Sequence, residues 1–402
     1  MSPATSGNVT AKSDCCVTYE PRTTGGIELA LTSKIEALYG DVIRADTEKT
    51  IADLGIKHGK FDIADNGALP FVLMARIEAA VKKAYPDFTR EVLPPMQEHC
   101  LYRSSREKFR RSRLYLPGDQ PKLMLNAGVH NPDGVILDLE DSVAPNEKLS
   151  ARLIVRNALR TLDFFGAERM VRINQGELGL HDLAAIVPHN VHLILIPKVE
   201  TPEQLKTVDA KIAEISKKCG RKDPVFLMPI LESARGILNA FAIATASPNN
   251  VALAIGLEDY TADIGTQRTL EGKESFFARS MVVNAARAAG LQPIDTVFSD
   301  VNDMEGLKAS VLEAKSLGFD GKGCIHPRQI QPIHDAFAPA PDEIEKAKRI
   351  VLAFDDAQAR GLGVVALGSK MIDLPVVKRA VHTIQLAIDT GLLKADWKDN
   401  QR

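Results

Sequence analysis

The most constraining feature of this sequence is a repeating order of short apolar runs and longer helical patterns that begins near residue 111. Each apolar run ends in polar residues and precedes a stretch with helical spacing, such as Glu147–Leu162 or Phe276–Ala289. The eight runs are Arg113–Leu116, Gly134–Asp138, Met170–Ile173, Leu193–Pro197, Val225–Leu231, Val251–Ile255, Asp295–Phe298 and Gly323–Ile325. This alternation predicts an α/β fold with a closed (β/α)8 TIM barrel.

An open, doubly wound parallel sheet is the competing architecture for such an alternation. It would be favoured by a glycine-rich, phosphate-binding turn after the first strand. The turn found there, Pro117-Gly118-Asp119, does not have the GxGxxG spacing. The barrel is therefore the predicted fold.

Segments with other patterns lie on both sides of the barrel. A strand pattern at Gly26–Leu31 and helical patterns at Thr47–Leu54 and Leu69–Ala84 predict a small α/β module at the N-terminus. A proline-rich stretch follows, and a helix through Gln97–Arg111 is an alternative for its second half. The predicted domains are residues 1–85, a linker at 86–110, the barrel at 111–338 and a C-terminal extension at 339–402 that caps a neighbouring subunit.

Composition limits the classes of partner. Among 402 residues, 50 Lys and Arg balance 52 Asp and Glu, so no basic surplus points to nucleic acid or an anionic membrane surface. No apolar run reaches the roughly 18 residues of a membrane span. The 5 cysteines have neither a disulfide pattern nor zinc spacing. These features predict a cytoplasmic protein without membrane or nucleic-acid partners.

Acidic side chains dominate the predicted carboxyl ends of the strands, where active sites of this fold lie. Oxygen ligands of this kind favour Mg²⁺ over zinc. Glu232 and Asp259 lie one strand–helix unit apart and are predicted to converge on one ion, with Arg172 facing a developing enolate. The strand-end residues are Asp138, Glu140, Asp141, Arg172, Asn174, Lys198, Glu232, Ser233, Arg235, Glu258, Asp259, Ser299, Asp300 and His326.

Several of these residues also have a structural interpretation. An aspartate at a barrel rim is often a helix cap, and Asp138 is also expected to bind loop amides. Lys198 is either a Schiff-base lysine or, more in keeping with the neighbouring carboxylates, half of an ion pair. His326 precedes a proline and is expected to fix a loop.

Several strand-end segments resemble the citrate lyase β-subunit family of the HpcH/HpaI aldolase superfamily, which also contains malyl-CoA and citramalyl-CoA lyases. They are Leu114–Asp119, Leu137–Val143, Val171–Asn174, Ile230–Ala234 and Gly368–Asp373, with Ser299–Gly306 and Arg360–Val365 most similar to the citrate lyase branch. The resemblance implies a Mg²⁺-dependent lyase that cleaves a citryl thioester, bound to a carrier or to CoA. The implied retro-Claisen products are oxaloacetate and an acetyl thioester.

The resemblance also implies roles for single residues. Glu232 and Asp259 would bind Mg²⁺, and Asp373 would protonate the acetyl enolate after delivery from a neighbouring subunit of a trimer or hexamer. The implied catalytic residues are Arg172, Asp373 and Glu232. The implied substrate-binding residues are Arg172, Glu232, Tyr115, Pro117 and Gly118. The carboxylates implied to support them are Asp138, Glu140 and Asp141.

The N-terminal residues resemble the acyl carrier (γ) subunit of citrate lyase, at Gly26–Leu29, Tyr39–Arg44 and Asp65–Leu69. The chain is thus interpreted as a fusion of carrier and lyase, which raises the effective concentration of a tethered thioester. In that family a serine carries a phosphoribosyl-dephospho-CoA arm. Here Lys12 stands at the aligned position and Ser13 follows it, so a modified Ser13 and an unmodified, structural module are both open.

Other functions remain as alternatives. One is a citramalyl-CoA or malyl-CoA lyase that acts on free CoA thioesters, and another is a non-catalytic carrier or scaffold subunit. Positions that are basic in malyl-CoA lyases are Gln120 and Asn126 here, which favours a carrier-bound substrate. A separate citrate lyase α (transferase) subunit is an expected partner.

Overall fold

The computed structural model describes residues 2–359, 365–367 and 370–398. The chain divides into two compact units, Met1–Ile330 and Gln331–Arg402. Two segments used in the sequence comparison, Arg360–Val365 and Gly368–Asp373, fall partly outside the described residues.

The N-terminal module is a four-stranded sheet with two helices. Its elements are β1 (Ala4–Ser6), β2 (Cys15–Pro21), β3 (Ile27–Ser33), α1 (Glu36–Asp53), β4 (Gly59–Asp65) and α2 (Pro70–Ala84). The strand order is β1-β2-β4-β3, with β3 parallel to β4 and the other pairs antiparallel. Alternate residues of β2 and β4, such as Val17 and Phe61, pack against Ile77 of α2. The predicted strand and second helix are confirmed, and the first helix is longer than Thr47–Leu54.

Eight parallel strands close into a barrel in sequence order, which confirms the predicted fold. They are β5 (Ser112–Pro117), β6 (Gly134–Asp138), β7 (Glu168–Arg172), β8 (Leu193–Ile196), β9 (Phe226–Leu231), β10 (Ala252–Ile255), β11 (Gln292–Asp295) and β12 (Gly321–Cys324). Inward residues such as Ile136, Leu195 and Met228 fill the interior. Because the interior is packed, the open end of the barrel is left for chemistry.

Helices alternate with the barrel strands. They are α3 (Pro121–Met124), α4 (Lys148–Thr161), α5 (Gly176–Ile186), α6 (Pro202–Cys219), α7 (Ala234–Leu238), α8 (Ala240–Ala244), α9 (Leu257–Asp263), α10 (Phe276–Ala288) and α11 (Met304–Leu317). Short 3-10 turns occur at Glu98–Cys100, Gly128–His130, Pro145–Glu147, Val187–His189 and Pro327–Gln329. The sequence signals are clear at α6, where Thr201 and Gln204 form a capping box and Gly220 ends the helix in the left-handed conformation.

The seventh barrel strand differs from its prediction. It ends at Asp295, whereas the apolar run predicted a strand over Asp295–Phe298. The carboxylate of Asp295 is buried and accepts hydrogen bonds from Lys322 and Arg279. The misleading signal is Phe298, which is buried although it lies in the following loop.

Residues 86–110 are bound closely to the barrel. The Gln97 N–H donates to the Arg160 carbonyl, and the Arg160 Nε donates back to the Pro94 carbonyl at 2.6 Å. Arg110 forms a buried ion pair with Glu168 at 2.7 Å. The segment contains one 3-10 turn and no long helix, so the alternative of a helix through Gln97–Arg111 is wrong.

One fully buried and one partly buried ion pair join the N-terminal module to the barrel. Arg156 on α4 donates two hydrogen bonds to the Glu78 carboxylate on α2, at 3.0 and 2.8 Å, and both side chains are fully buried. Arg76, also on α2, donates to Asp14 of its own module at 2.7 Å and to Glu147 of the barrel at 3.3 Å. Because a buried charge without a partner is costly, these pairs specify how the module docks.

The second unit is a helical extension. Its elements are α12 (Ile330–Phe337), α13 (Pro341–Ala359), β13 (Val365–Leu367), β14 (Lys370–Ile372) and α14 (Leu374–Asp389). Ile350, Phe354, Ile384 and Trp397 share its apolar core. The unit includes α12, and therefore begins earlier than the predicted start of the extension at residue 339.

Among the described residues, none of the helices has both the length and the apolar character needed to cross a bilayer.

We expect the ion pair between module and barrel to contribute strongly to stability. Replacing Glu78→Gln leaves the buried Arg156 guanidinium with the half-exposed Glu91, 3.5 Å away, as its remaining carboxylate among the described residues. The loss of the buried partner should lower the free energy of unfolding by about 3 kcal/mol. Urea denaturation of the full chain measures the change. The matched control is Glu214→Gln, which breaks an exposed pair with Lys211 and should cost at most about 0.5 kcal/mol. Equal losses in the two variants would contradict the interpretation.

Candidate active site

The carboxyl ends of the barrel strands surround a cavity of about 360 Å³. Its shape follows from the fold, because parallel strands all present their last side chains at the same rim. The structure brings eight of the predicted residues into its lining, namely Tyr115, Pro117, Asp138, Asp141, Arg172, Glu232, Glu258 and Asp259.

Arg172, at the end of β7, is held by Asp138 at the end of β6. Its Nε and Nη2 donate to the two carboxylate oxygens, each at 2.7 Å, and its Nη1 lies 3.0 Å from Glu140. Burial opposes charge on both groups, but the pairing outweighs it, raising the pKa of Arg172 and lowering the pKa of Asp138. Asp138 also accepts the backbone N–H of Glu140 and the hydroxyl of Ser142. It thus binds a loop amide, as expected, while fixing a permanent cation at the rim.

Lys198 lies among carboxylates at the end of β8. Its Nζ is 3.6 Å from Glu140, 3.5 Å from Asp141 and 3.6 Å from Asp259. These contacts are the ion pair favoured by the sequence. Its backbone is left-handed, with φ of 51°, a strained conformation for a residue with a side chain. In this conformation the Lys198 N–H donates to the Glu232 Oε2 at 3.0 Å.

Glu232 at the end of β9 is buried close to another carboxylate. Burial raises the pKa of Glu232 to about 7, with a further contribution from the charge of Asp259, although the Lys198 N–H opposes the shift. The glycine at position 256 makes room for this side chain, because a Cβ there would collide with the carboxylate. A bulkier residue at the end of β10 would therefore displace Glu232.

Glu232 and Asp259 are the carboxylates best placed to hold a divalent cation. In the described ranges, no group of three or more His, Cys, Asp or Glu side chains is arranged to hold a metal by itself. Two carboxylates with space for water and substrate oxygens fit Mg²⁺ and do not fit a closed zinc site. The repulsion that helps to raise the pKa of Glu232 is what a dication would relieve.

Tyr115 on β5 lines the cavity, and Gly118 follows directly after this strand. The Arg172 guanidinium lies over the Tyr115 ring, 5.4 Å from its centre. Gly118 is buried, and a Cβ there would approach the Asp138 carbonyl oxygen to 2.5 Å. A substrate-binding role for Tyr115, Pro117 and Gly118 stays a prediction.

Some predicted residues lie away from this cavity. Ser299 and Asp300 are exposed in the loop after β11, because the strand ends earlier than predicted, and Thr296 and Val297 take their place in the lining. His326 accepts the backbone N–H of Arg328, the loop-fixing role that the sequence favoured.

Asp373 and Ser13 belong to other parts of the chain. Asp373 caps α14 in the C-terminal unit, where its side chain accepts the Val376 N–H at 3.2 Å. Ser13 precedes β2 in the N-terminal module and has a left-handed backbone, with φ of 57°. The catalytic role of Asp373 and the modification of Ser13 stay predictions.

Sequence reasoning missed two charged residues that line the cavity, Asp295 on β11 and Arg113 on β5. The alternation of strand side chains places Arg113 on the same face as Tyr115 and Pro117. A cation in an otherwise apolar barrel strand was the signal that could have identified Arg113.

Two protein families match this chain, one over the barrel and one over the N-terminal module. Residues 111–327 match the family described as HpcH/HpaI aldolase/citrate lyase. Residues 2–84 match the family described as malonate decarboxylase delta subunit, an acyl carrier family. The carrier-like character of the N-terminal module is confirmed.

Individual relatives match nearly over their whole length. Citrate lyase subunit beta of Haemophilus influenzae is 42% identical over 283 residues, which are 70% of this chain and 97% of the relative. The mitochondrial citramalyl-CoA lyase of Homo sapiens is 35% identical over 298 residues, covering 71% of this chain and 88% of the relative.

A solved structure supports the same grouping. The CitE protein of Mycobacterium tuberculosis, in complex with magnesium, acetoacetate and coenzyme A, is 31% identical and has a TM-score of 0.59, covering 70% of this chain and 99% of that one. The closed barrel with acidic strand ends points to the same family as the fold similarity and the sequence identity do. The chain therefore belongs to the HpcH/HpaI aldolase/citrate lyase family of lyases.

Proposed function

We propose that this protein is a Mg²⁺-dependent lyase that cleaves a citryl thioester to oxaloacetate and an acetyl thioester. The observation that carries the proposal is the convergence of Glu232, Asp259 and Arg172 on one cavity, with the two carboxylates free of any direct arginine partner among the described residues. The similarity to citrate lyase β subunits supports the substrate class.

Glu232 and Asp259 are the residues proposed to hold Mg²⁺. When bound, the ion would supply a Lewis acid for the substrate oxygen that becomes the ketone. The M. tuberculosis relative contains magnesium, which supports this choice of metal.

Arg172 is proposed to stabilise negative charge that develops on the substrate. Two hydrogen bonds to Asp138 orient its guanidinium before substrate binds, so little reorganisation is needed during the reaction. Cleavage transfers the hydroxyl proton to a carboxylate of the site, breaks the carbon–carbon bond and leaves the electron pair on the acetyl thioester as an enolate. Asp373 is proposed to protonate that enolate, acting from a neighbouring subunit of a trimer or hexamer.

The docked N-terminal module supports a carrier-bound substrate. The Arg76 guanidinium binds Asp14, the residue after Ser13, and its Nη2 also donates to the Asp119 carbonyl just beyond β5, at 3.2 Å. Since β5 ends at the cavity rim, the Ser13 loop lies beside the catalytic end of the barrel. An arm on Ser13 would start near the cavity, and the acyl group would be exchanged by a separate α (transferase) subunit.

Cleavage of free citramalyl-CoA or malyl-CoA is the second candidate function. The similarity to the human citramalyl-CoA lyase, and to a relative crystallised with coenzyme A, favours it. The two candidate functions would use the same cavity. Their substrates differ in the part that is released as the keto acid.

Substitution of the proposed catalytic residues tests the mechanism. Glu232→Gln should lower kcat for citryl-CoA cleavage by at least about 100-fold, because the metal site loses a charged ligand. Asp373→Asn should lower kcat while retaining Mg²⁺ binding. The matched control, Glu203→Gln on the exposed face of α6, should leave kcat unchanged. Full activity in Glu232→Gln would contradict the mechanism.

Mixing the two inactive variants tests the subunit-crossing role of Asp373 in the same assay. If Asp373 acts in a neighbouring subunit, hybrids of Glu232→Gln and Asp373→Asn contain some sites with both native residues. Co-refolded mixtures should then recover part of the activity. Mixtures that stay as inactive as their parents would place Asp373 in its own subunit's site or outside the reaction.

Mg²⁺ binding should depend on pH. Metal ligands bind in the deprotonated form, and burial beside Asp259 raises the pKa of Glu232 to about 7 in the metal-free protein. The proton therefore competes with the metal below pH 7, and the Mg²⁺ affinity should be about 10-fold weaker at pH 6 than at pH 8. Isothermal titration calorimetry at both pH values measures the Mg²⁺ affinity. Equal affinities at the two pH values would argue against Glu232 as a ligand.

The state of Ser13 can be read from the mass of the protein purified from its own host. We expect an added mass that matches a phosphoribosyl-dephospho-CoA arm, and peptide mapping of residues 1–20 should place it on Ser13. Ser13→Ala should abolish it, whereas Ser6→Ala should not, because Ser6 is buried against Ser150. An unmodified mass would make the module structural and favour free CoA thioesters.

A further inference from the structure

Arg113 is a buried cation at the bottom of the active-site cavity. It lies on β5 two residues before Tyr115, therefore deeper in the barrel, and its side chain lines the same cavity as Arg172 and Glu232. The residue is 2% exposed. The Arg113 side chain lies among the apolar residues that fill the barrel interior, next to Met228 on β9.

The guanidinium of Arg113 has only weak partners. Its Nη1 lies 3.1 Å from the Met228 Sδ, a poor acceptor, and its Nη2 lies 3.4 Å from the Asp295 carbonyl oxygen. Its Nε has no hydrogen-bond partner among the described residues. The Asp295 carboxylate is not available, because it already accepts from Lys322 and Arg279.

Other buried arginines of this chain have carboxylate partners. Arg110 pairs with Glu168 and Arg156 pairs with Glu78, in each case with both partners fully buried. Arg169 also has unpartnered nitrogens, but it stacks on the Tyr102 ring and lies outside the cavity lining. Arg113 therefore combines two features, an uncompensated buried charge and access to the substrate cavity.

Such an arrangement is unfavourable in the empty protein. Burial disfavours the charged form and lowers the pKa of Arg113, yet an arginine keeps its proton in a protein. Buried donors are normally satisfied, so an unsatisfied one that faces a cavity indicates an acceptor on the ligand. A carboxylate is the acceptor that a guanidinium binds best.

The proposed substrate offers such a group at the matching end. The thioester arm must leave through the cavity mouth, so the acid half of the substrate points towards the bottom. In a citryl thioester the hydroxyl carbon carries a carboxylate and a second, carboxymethyl group. In a citramalyl thioester a methyl group replaces the carboxymethyl group, and in a malyl thioester a hydrogen does.

We propose that Arg113 binds the carboxymethyl group of the substrate and thereby selects a citryl over a citramalyl thioester. The inference rests on the proposed lyase function and deepens it. Arg172 lies at the rim, where Asp138 and Glu140 hold it for its proposed role at the reacting centre. Arg113 is the deeper cation that remains for the carboxymethyl group. A methyl group at the same place would leave Arg113 unpaired, and sites built for a hydrogen bond discriminate strongly against a substrate that lacks the group.

Kinetics with two substrates test the proposal. The full-length enzyme should have a higher kcat/KM for citryl-CoA than for citramalyl-CoA. Arg113→Met should lower kcat/KM for citryl-CoA by about 100-fold or more and leave that for citramalyl-CoA unchanged or higher. The matched control is Met228→Leu, which alters the packing beside Arg113 without changing charge, and should affect both substrates equally.

Thermal unfolding provides a readout independent of turnover. Without ligand, Arg113→Met should have a Tm equal to or above that of the native protein, because a buried unpaired charge is replaced by an apolar side chain of similar shape. In buffer with Mg²⁺, oxaloacetate should raise the Tm of the native protein more than pyruvate does. That difference should vanish in Arg113→Met.

The outcomes separate this inference from the proposed function. If the native enzyme cleaves neither thioester, the proposed function fails and the inference fails with it. If the native enzyme cleaves citryl-CoA and Arg113→Met keeps the same preference, the inference alone is wrong. If Arg113→Met does not fold, Arg113→Lys decides, because it retains the charge but not the paired donors and should reduce the citryl preference. A native preference for citramalyl-CoA, or equal losses for both substrates, would also overturn it.

Discussion

The bidentate ion pair between Arg172 and Asp138 is the interaction on which the rest of the active site depends. Closing the barrel brings the last residues of neighbouring strands together, and here those residues are mostly acidic. Without Arg172 the carboxylates of Asp138 and Glu140 would be buried as neighbouring like charges. Lys198 partly neutralises the outer part of the cluster. Glu232, which these cations leave only partly compensated, has its pKa raised to about 7 by burial, and a dication bound beside Asp259 would relieve that shift.

Pairing of buried charges also fixes the N-terminal module to the barrel. An acyl carrier that visits several sites would need a small, polar and easily broken contact with each of them. In this chain the contact instead contains fully buried charges on both sides, Glu78 and Arg156. Breaking this contact would expose those charges or leave them buried without a partner. The module therefore acts as a fixed part of the barrel. In the proposed function, any movement that brings an acyl group into the cavity would fall to the arm on Ser13.

The sequence was sufficient for the parts of the fold that repeat. Apolar strands separated by helical spacing identified the barrel, and the strand ends identified Arg172, Glu232 and Asp259. The sequence was insufficient where a buried apolar residue lies in a loop and not in a strand. Phe298 is buried in a loop and made the seventh strand look later than it is. The proposed roles of Asp373 and Ser13 require a neighbouring subunit and a covalent modification, neither of which is encoded in the hydrophobic pattern of one chain.

Arg113 was overlooked for a related reason. Sequence reasoning concentrates on strand ends because those are exposed to the cavity in most barrels, whereas interior positions are assumed to be apolar packing. A strand of alternating side chains nevertheless continues the cavity wall downwards from Pro117 and Tyr115 to Arg113. The charges of the cavity are thus layered by depth, with carboxylates and Arg172 at the rim and an unpaired cation below. An anionic group at the inner end of the substrate completes this arrangement, and a substrate with a neutral inner end leaves it incomplete.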